Sequence, residues 1–141
     1  MITESTASLV VVSEELPPER VTQVLGIEPS RTIRKGEPRS AKHPEVISKD
    51  NRWILDIERS DVPTGDQTGF GSVAILVDRL LPYTALLTSL RPQCETVVTW
   101  GGFSNSSEGG FVIPLRVLAG LAALECDSYG TAYLADDGEP S

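Results

Sequence analysis

The sequence is poor in the residues that most often carry chemistry: among 141 residues it has one histidine, two cysteines, one methionine and 6% aromatic residues. A single histidine, His43, restricts any catalytic or metal site to one imidazole. Cys94 and Cys126 form neither a C-x-x-C pair nor a Cys/His cluster, so zinc-ribbon and thioredoxin-like sites lack their ligands. Both read as buried free thiols, since unpaired cysteine behaves as a small hydrophobe. Long apolar runs are also missing. The stretch Val117 to Leu124 spans eight residues, against the ~20 needed to cross a bilayer. At the N-terminus, Glu4 precedes any Lys or Arg and the apolar run Leu9 to Val12 stops at Ser13-Glu14-Glu15, which is not a secretory pattern. A cytoplasmic protein without a membrane partner is expected. Basic charge is in deficit as well. Twelve Lys and Arg against twenty Asp and Glu give a net charge of −8, which disfavours nucleic acid as a general partner.

What is present is an ordinary globular balance, with 40% apolar and 23% charged residues, enough for one core in a chain of typical domain size. A single domain over 1–135 and an acidic tail over 136–141 are expected. Ala7 to Ser13 reads as a β-branched buried strand, and Pro18 to Leu25 as a short amphipathic helix closed by Gly26. Residues 26–52 are poor in apolar positions and punctuated by Pro29, Gly36, Pro38 and Pro44, which predicts a long connection whose order over 36–51 is left open. Trp53, Leu55 and Ile57 alternate with Asp56 and Glu58 in a half-buried strand. Val73, Val77, Leu80 and Leu81 form a helical stripe that Pro82 ends or kinks, with a continuation through Leu90. Glu95 to Trp100 reads as a strand, Gly101 to Ser107 as a loop and Gly110 to Ile113 as the return strand of a hairpin. A helix from Pro114 to Leu124 and a last strand from Ser128 to Leu134 complete the chain. This order lacks a regular βαβα rhythm and predicts an α+β fold: a single-layer mixed or antiparallel sheet with helices on one face, arranged as a ferredoxin-like sandwich.

The sharpest cluster of candidate site residues is basic. Residues 31–52 carry a net charge of +4, which leaves −12 for the remainder. Arg31, Arg34, Lys35, Gly36 and Arg39 set guanidinium and ammonium groups beside a glycine able to expose its N–H, a composition suited to an anionic group or an acidic partner protein. The structural alternative is a solvated loop tied down by ion pairs. The phosphate-loop pattern G-x-x-x-x-G-K-[ST] is absent, and no nucleotide or other cofactor is expected. Asp56 and Glu58 share one strand face and, with His43, form the alternative of a small enzyme acting on an anionic substrate. Their plainer reading is an exposed polar face and a surface histidine. Asp136 and Asp137 read as a solubilising tail rather than metal ligands. Trp53 and Trp100 are core or rim anchors, with a groove wall as their functional alternative.

The run Leu25-Gly26-Ile27-Glu28-Pro29-Ser30-Arg31-Thr32-Ile33-Arg34-Lys35-Gly36-Glu37-Pro38, then Trp53, Asp78-Arg79-Leu80-Leu81-Pro82 and Gly102-Phe103-Ser104, resembles domain-of-unknown-function family 4279. The resemblance extends over nearly the whole chain, and its most specific piece is L-G-x-E-P-[ST]-x-x-x-[RK]-K-G-x-P. It implies a small bacterial α+β protein of one domain, without an assigned activity and without catalytic residues to carry over. The functional expectation is therefore a binding protein that recognises an anionic group or a partner protein through the basic loop. An immunity-type protein, whose acidic body covers a basic toxin surface, is one form of it. Oligomeric state and strand order are left open.

Overall fold

The first strand in the computed structural model, which describes residues 1–136, is longer than its apolar centre suggests: β1 runs from Ile2 to Ser13. From Ser5 onward alternation sends Ser5, Ala7, Leu9 and Val11 into the core, and a register irregularity between Ile2 and Glu4 lets Ile2 be buried as well. Helix α1 (Pro18–Leu25) starts with its proline in the first turn, where no N–H partner is needed, and buries Val21 and Leu25. It stops at Gly26, whose φ of 71° lets its N–H reach the Thr22 carbonyl at 2.8 Å.

Strand β2 (Arg31–Ile33) is short and was not evident in the charged connection, while β3 (Asn51–Ile57) sends Trp53, Leu55 and Ile57 inward as alternation requires. Helix α2 (Gly71–Leu80) passes through a 3-10 turn at Pro82 into α3 (Thr84–Leu90). The whole run Gly71–Leu90 has a mean hydropathy of 1.5 over its best window and is long enough, by composition, to span a membrane. In this structure it is broken at Pro82, and Leu76, Leu80, Leu87 and Leu90 pack in the core.

The expected hairpin over Glu95–Ile113 does not form. Strand β4 continues from Glu95 to Ser104, and residues 110–113 belong to no strand. The glycine pair signals close packing rather than a turn: a Cβ on Gly102 would collide with the Trp100 ring. Segment 110–113 instead lies across the sheet end, with Gly110 accepting from Ile2 N–H at 2.9 Å and Phe111 resting 5.3 Å from the rings of both Phe70 and Trp100. Helix α4 (Leu115–Leu124) then leads into β5 (Asp127–Tyr133).

The five strands form one sheet in the order β2-β3-β1-β4-β5. Every neighbour is antiparallel except β4 and β5, which run parallel and are joined through α4. Strands β1 to β4 with α1 and α2–α3 therefore follow the β-α-β-β-α-β path of a ferredoxin-like sandwich, and α4-β5 extends it on the β4 side. The α+β class and the single-layer mixed sheet agree with the expectation. Small residues bring the layers close: Ser72 Oγ donates to Ser5 Oγ at 2.7 Å in a fully buried contact, and Gly120 of α4 sits directly against Val77 of α2.

The loop before α2 is fastened by Asp66. Its carboxylate accepts from the Thr68 hydroxyl at 2.7 Å, the Thr68 N–H at 3.0 Å and the Gly71 N–H at 2.9 Å. Partial burial pushes this carboxyl upward, but these hydrogen bonds outweigh it and hold Asp66 below the ordinary carboxylate range.

Candidate functional site

After β2 the chain folds out and back as a narrow arm. Gly36 N–H donates to Ser48 O at 2.9 Å, Ser48 N–H to Glu37 O at 2.8 Å and Arg39 N–H to Val46 O at 3.0 Å, with a strand-like bridge between Pro38 and Ile47. Gly36 adopts φ of 91°, the left-handed conformation that opens this arm. The root is anchored to the body, for Lys35 N–H donates to Asn51 Oδ1 at 2.8 Å and the Asn51 amide reaches Leu16 O at 3.2 Å. The segment 36–51 is thus a hydrogen-bonded element.

The five basic-loop residues do not converge on one ligand. Arg31 pairs with Asp56 at 3.0 Å and Arg34 pairs with Glu19 of α1, so both are committed to carboxylates of the body. The Gly36 N–H is occupied by Ser48 O and is not free to cradle an anion. Lys35 and Arg39 are exposed, and among the described residues neither side chain has an ion-pair partner, although the Arg39 charge is felt at Asp50. Lys42 and Lys49 share that exposed, unpaired state. The acidic residues of the arm are engaged locally. Glu37 accepts from Arg34 N–H, Glu45 lies 3.3 Å from His43 Nδ1, and Asp50 holds Arg52 at 2.9 Å. Burial raises the Asp50 carboxyl, yet Arg52 and the Ser48 hydroxyl overcome this and hold it below its ordinary value. The arm therefore presents cations outward, and beside them Val46 and Ile47, which are 47% and 54% exposed.

The residues of the enzymatic alternative stay apart in their bonding. Asp56 is taken by Arg31, Ser8 Oγ and, through its N–H, Ser30 Oγ. Glu58 caps the turn Arg59–Asp61 in reciprocal hydrogen bonds with Asp61, and His43 lies at the tip of the arm against Glu45. No partner is shared among the three. Trp53 and Trp100 are core residues rather than groove walls: they are 0% and 8% exposed, and their indole N–H groups donate to Thr22 Oγ1 and to Gly69 O. Among the described residues no group of three or more His, Cys, Asp or Glu side chains could hold a metal ion.

A concavity of about 730 Å³ lies at the opposite end of β1 from Ile2, between the end of β1 and the start of β4. Glu14, Glu15, Asp50 and Glu95 line it, and Arg91 turns toward the last carbonyl of α4, Leu124 O, and toward Glu125. Cys94 lies at its floor, its thiol pushed up by burial against a smaller opposing effect of the Ser13 hydrogen bond. Neither this cleft nor a smaller one beside α1, about 340 Å³, is lined by Arg31, Arg34, Lys35 or Arg39. The unpaired cations of the arm and these two concavities are therefore separate. Sequence reasoning counted Lys42 and Lys49 within the basic segment but passed over Val46 and Ile47, whose placement beside the cations depends on the fold-back of the arm.

The fold and this arm define a single-sheet α+β protein with an appended basic hairpin. The chain belongs to the family described as Domain of unknown function (DUF4279), whose model matches residues 3–131. No curated protein and no solved structure matches it.

Proposed function

We propose that this protein is an interaction module whose arm docks on an acidic surface of a partner protein. The observation that carries this reading is the joint exposure of Lys35, Arg39, Lys42 and Lys49 with Val46 and Ile47 on one hydrogen-bonded element. A phosphate-sized ligand calls for convergent donors in a concavity, whereas the arm's unpaired cations line neither concavity described above and its glycine N–H is already bonded. Cations interleaved with aliphatic side chains suit a protein interface, where apolar contact supplies burial and charge sets orientation and encounter rate. The acidic remainder of the chain repels nucleic acid from the same site.

This reading takes the protein as cytoplasmic, with Cys94 and Cys126 as free thiols. The immunity-type form is narrower and rests on the net charge of −8 alone; there the body, not the arm, meets the partner. The test is affinity capture with the full chain and with the variant Lys35→Glu/Arg39→Glu/Lys42→Glu, beside Val46→Asp. The expected result is a partner retained by the unsubstituted chain, released by raised salt and lost in both variants. Capture that survives the arm variants would discard the arm and leave the acidic body as the contact. Saturable binding of inorganic phosphate or ATP, abolished by Arg39→Ala, would replace the protein partner by a small anion.

A further inference from the structure

The cleft between the end of β1 and the start of β4 has a fixed shape and an acidic lining. Ser13 Oγ donates to Gln93 O at 2.8 Å and accepts from Leu16 N–H at 2.9 Å, which clamps the turn after β1 against the turn before β4. Glu14, Glu15 and Glu95 stand exposed in this lining, and among the described residues none of their carboxylates has an ion-pair partner. Leu16 and Pro92 add apolar surface beside them. The cation of the lining, Arg91, is engaged by Leu124 O and Glu125. Like charges gathered in one concavity repel one another, and a positive occupant relieves that repulsion.

The arm carries the complementary set. Lys35, Arg39, Lys42 and Lys49 are exposed beside the exposed aliphatic side chains of Val46 and Ile47. Apart from Asp50 at its root, no residue of the arm lines the cleft, so the arm of one chain leaves that chain's own cleft open. The bonds of Lys35 N–H and of the Asn51 side chain fix the root in that position.

We infer that the cleft seats the arm of a second copy of this chain. The inference rests on the arm as a docking element and names the acidic surface it meets. Cations of the arm face Glu14, Glu15 and Glu95, and Val46 and Ile47 face Leu16 and Pro92, joining charge to apolar burial as protein interfaces do. A free amine would answer the carboxylates and leave the apolar wall unused. Arm and cleft are different surfaces, so every copy has one of each to offer. Each copy also carries −8, so the contact forms against mutual repulsion and belongs to concentrated protein.

Sedimentation velocity of the full chain over a dilution series tests this, with two charge-reversed variants. One is Lys35→Glu/Arg39→Glu/Lys42→Glu in the arm, the other Glu14→Lys/Glu15→Lys/Glu95→Lys in the cleft. The unsubstituted chain is expected to sediment above the mass of one chain at ~100 µM and to dissociate on dilution. Each variant alone stays at the mass of one chain, because its arm and cleft then carry the same sign. An equimolar mixture of the two associates again, since each reversed element meets its complement. Both variants keep a net negative charge, so bulk attraction does not draw them together. Circular dichroism identifies a variant that fails to fold; Lys42→Glu and Glu14→Lys, each expected to weaken association tenfold or more, then decide. A single-chain mass at every concentration overturns the inference, as does association that survives in both variants alone or a mixture that stays dissociated. Capture of a different acidic protein by the arm of a chain that remains monomeric overturns this inference and keeps the arm as a docking element. Loss of both self-association and capture discards the arm itself.

Discussion

The two edges of the sheet are finished in opposite ways. At one, β2 has three residues and is flanked by the arm, Arg31 is held by Asp56, and Arg34 by Glu19. At the other, β5 has seven residues, all exposed, and only Asp127 charged. The first edge depends on many polar contacts, each individually weak because its partners face water. The second depends on a few close apolar contacts behind it, chiefly Gly120 on Val77 and the Trp100 ring packed beside Gly102 and Gly130. An edge secured by many weak bonds tolerates the loss of any one, whereas an edge backed by tight packing does not.

That contrast is sharpest at Gly120. Gly120→Ala drives a Cβ into Val77 and is expected to cost about 2–3 kcal/mol by forcing α4 off α2, read as a lower urea midpoint. Next is Asp66, which positions the Gly69 carbonyl that accepts the Trp100 indole. Asp66→Ala is expected to cost about 1–2 kcal/mol.

The same carboxylate predicts a pH dependence. Asp66 and Asp50 are both held below their ordinary value of 3.8 in the folded protein. Their contribution is therefore complete above the unfolded value and is lost as pH falls through it toward the folded values. Urea midpoints should be flat near neutrality and decline below about pH 4, with a shallower decline in Asp66→Asn. An equally steep decline in that variant would assign the acid sensitivity elsewhere.

A smaller effect, of opposite sign, is expected at the end of α4. Glu125 holds φ of 55°, a left-handed conformation that favours glycine. Glu125→Gly should stabilise by about 0.5–1 kcal/mol, reduced by loss of the Arg91 ion pair. The smallest change belongs to the β2 edge: Arg31→Ala removes an ion pair whose arginine is 58% exposed and should cost no more than about 0.5 kcal/mol. A cost there equal to that of Gly120→Ala would erase the distinction between the edges.

Much of this architecture is legible in the chain. Period-two alternation around Trp53, Leu55 and Ile57, the Pro18 to Gly26 punctuation and the stripe through Val73, Val77 and Leu80 locate β3, α1 and α2 closely. The failures have physical causes. Thr3 to Thr6 is polar because Thr3 and Glu4 face water while the buried Ser5 is paired with the Ser72 hydroxyl, so it resembles a terminus rather than a strand. Arg31–Ile33 is a strand only because Ile54, Trp53 and Arg52 lie beside it. Phe111, Val112 and Ile113 have strand-forming side chains, yet Phe111 packs on Phe70 and Trp100 and Val112 N–H donates to Thr68 O rather than to a ladder. The basic segment was visible as charge. Which arginines remain unpaired was not, because Arg31 and Arg34 find Asp56 and Glu19 only after β3 and α1 have been brought to the arm.

The chain also carries its own optical gauges. Trp53 on β3 and Trp100 on β4 sit on either side of β1, each shielded from water and each donating a hydrogen bond inside its own half. Intrinsic fluorescence of Trp53→Phe and Trp100→Phe would therefore follow loosening of the two halves separately, and coincident emission changes in both would show that the sheet comes apart in a single event.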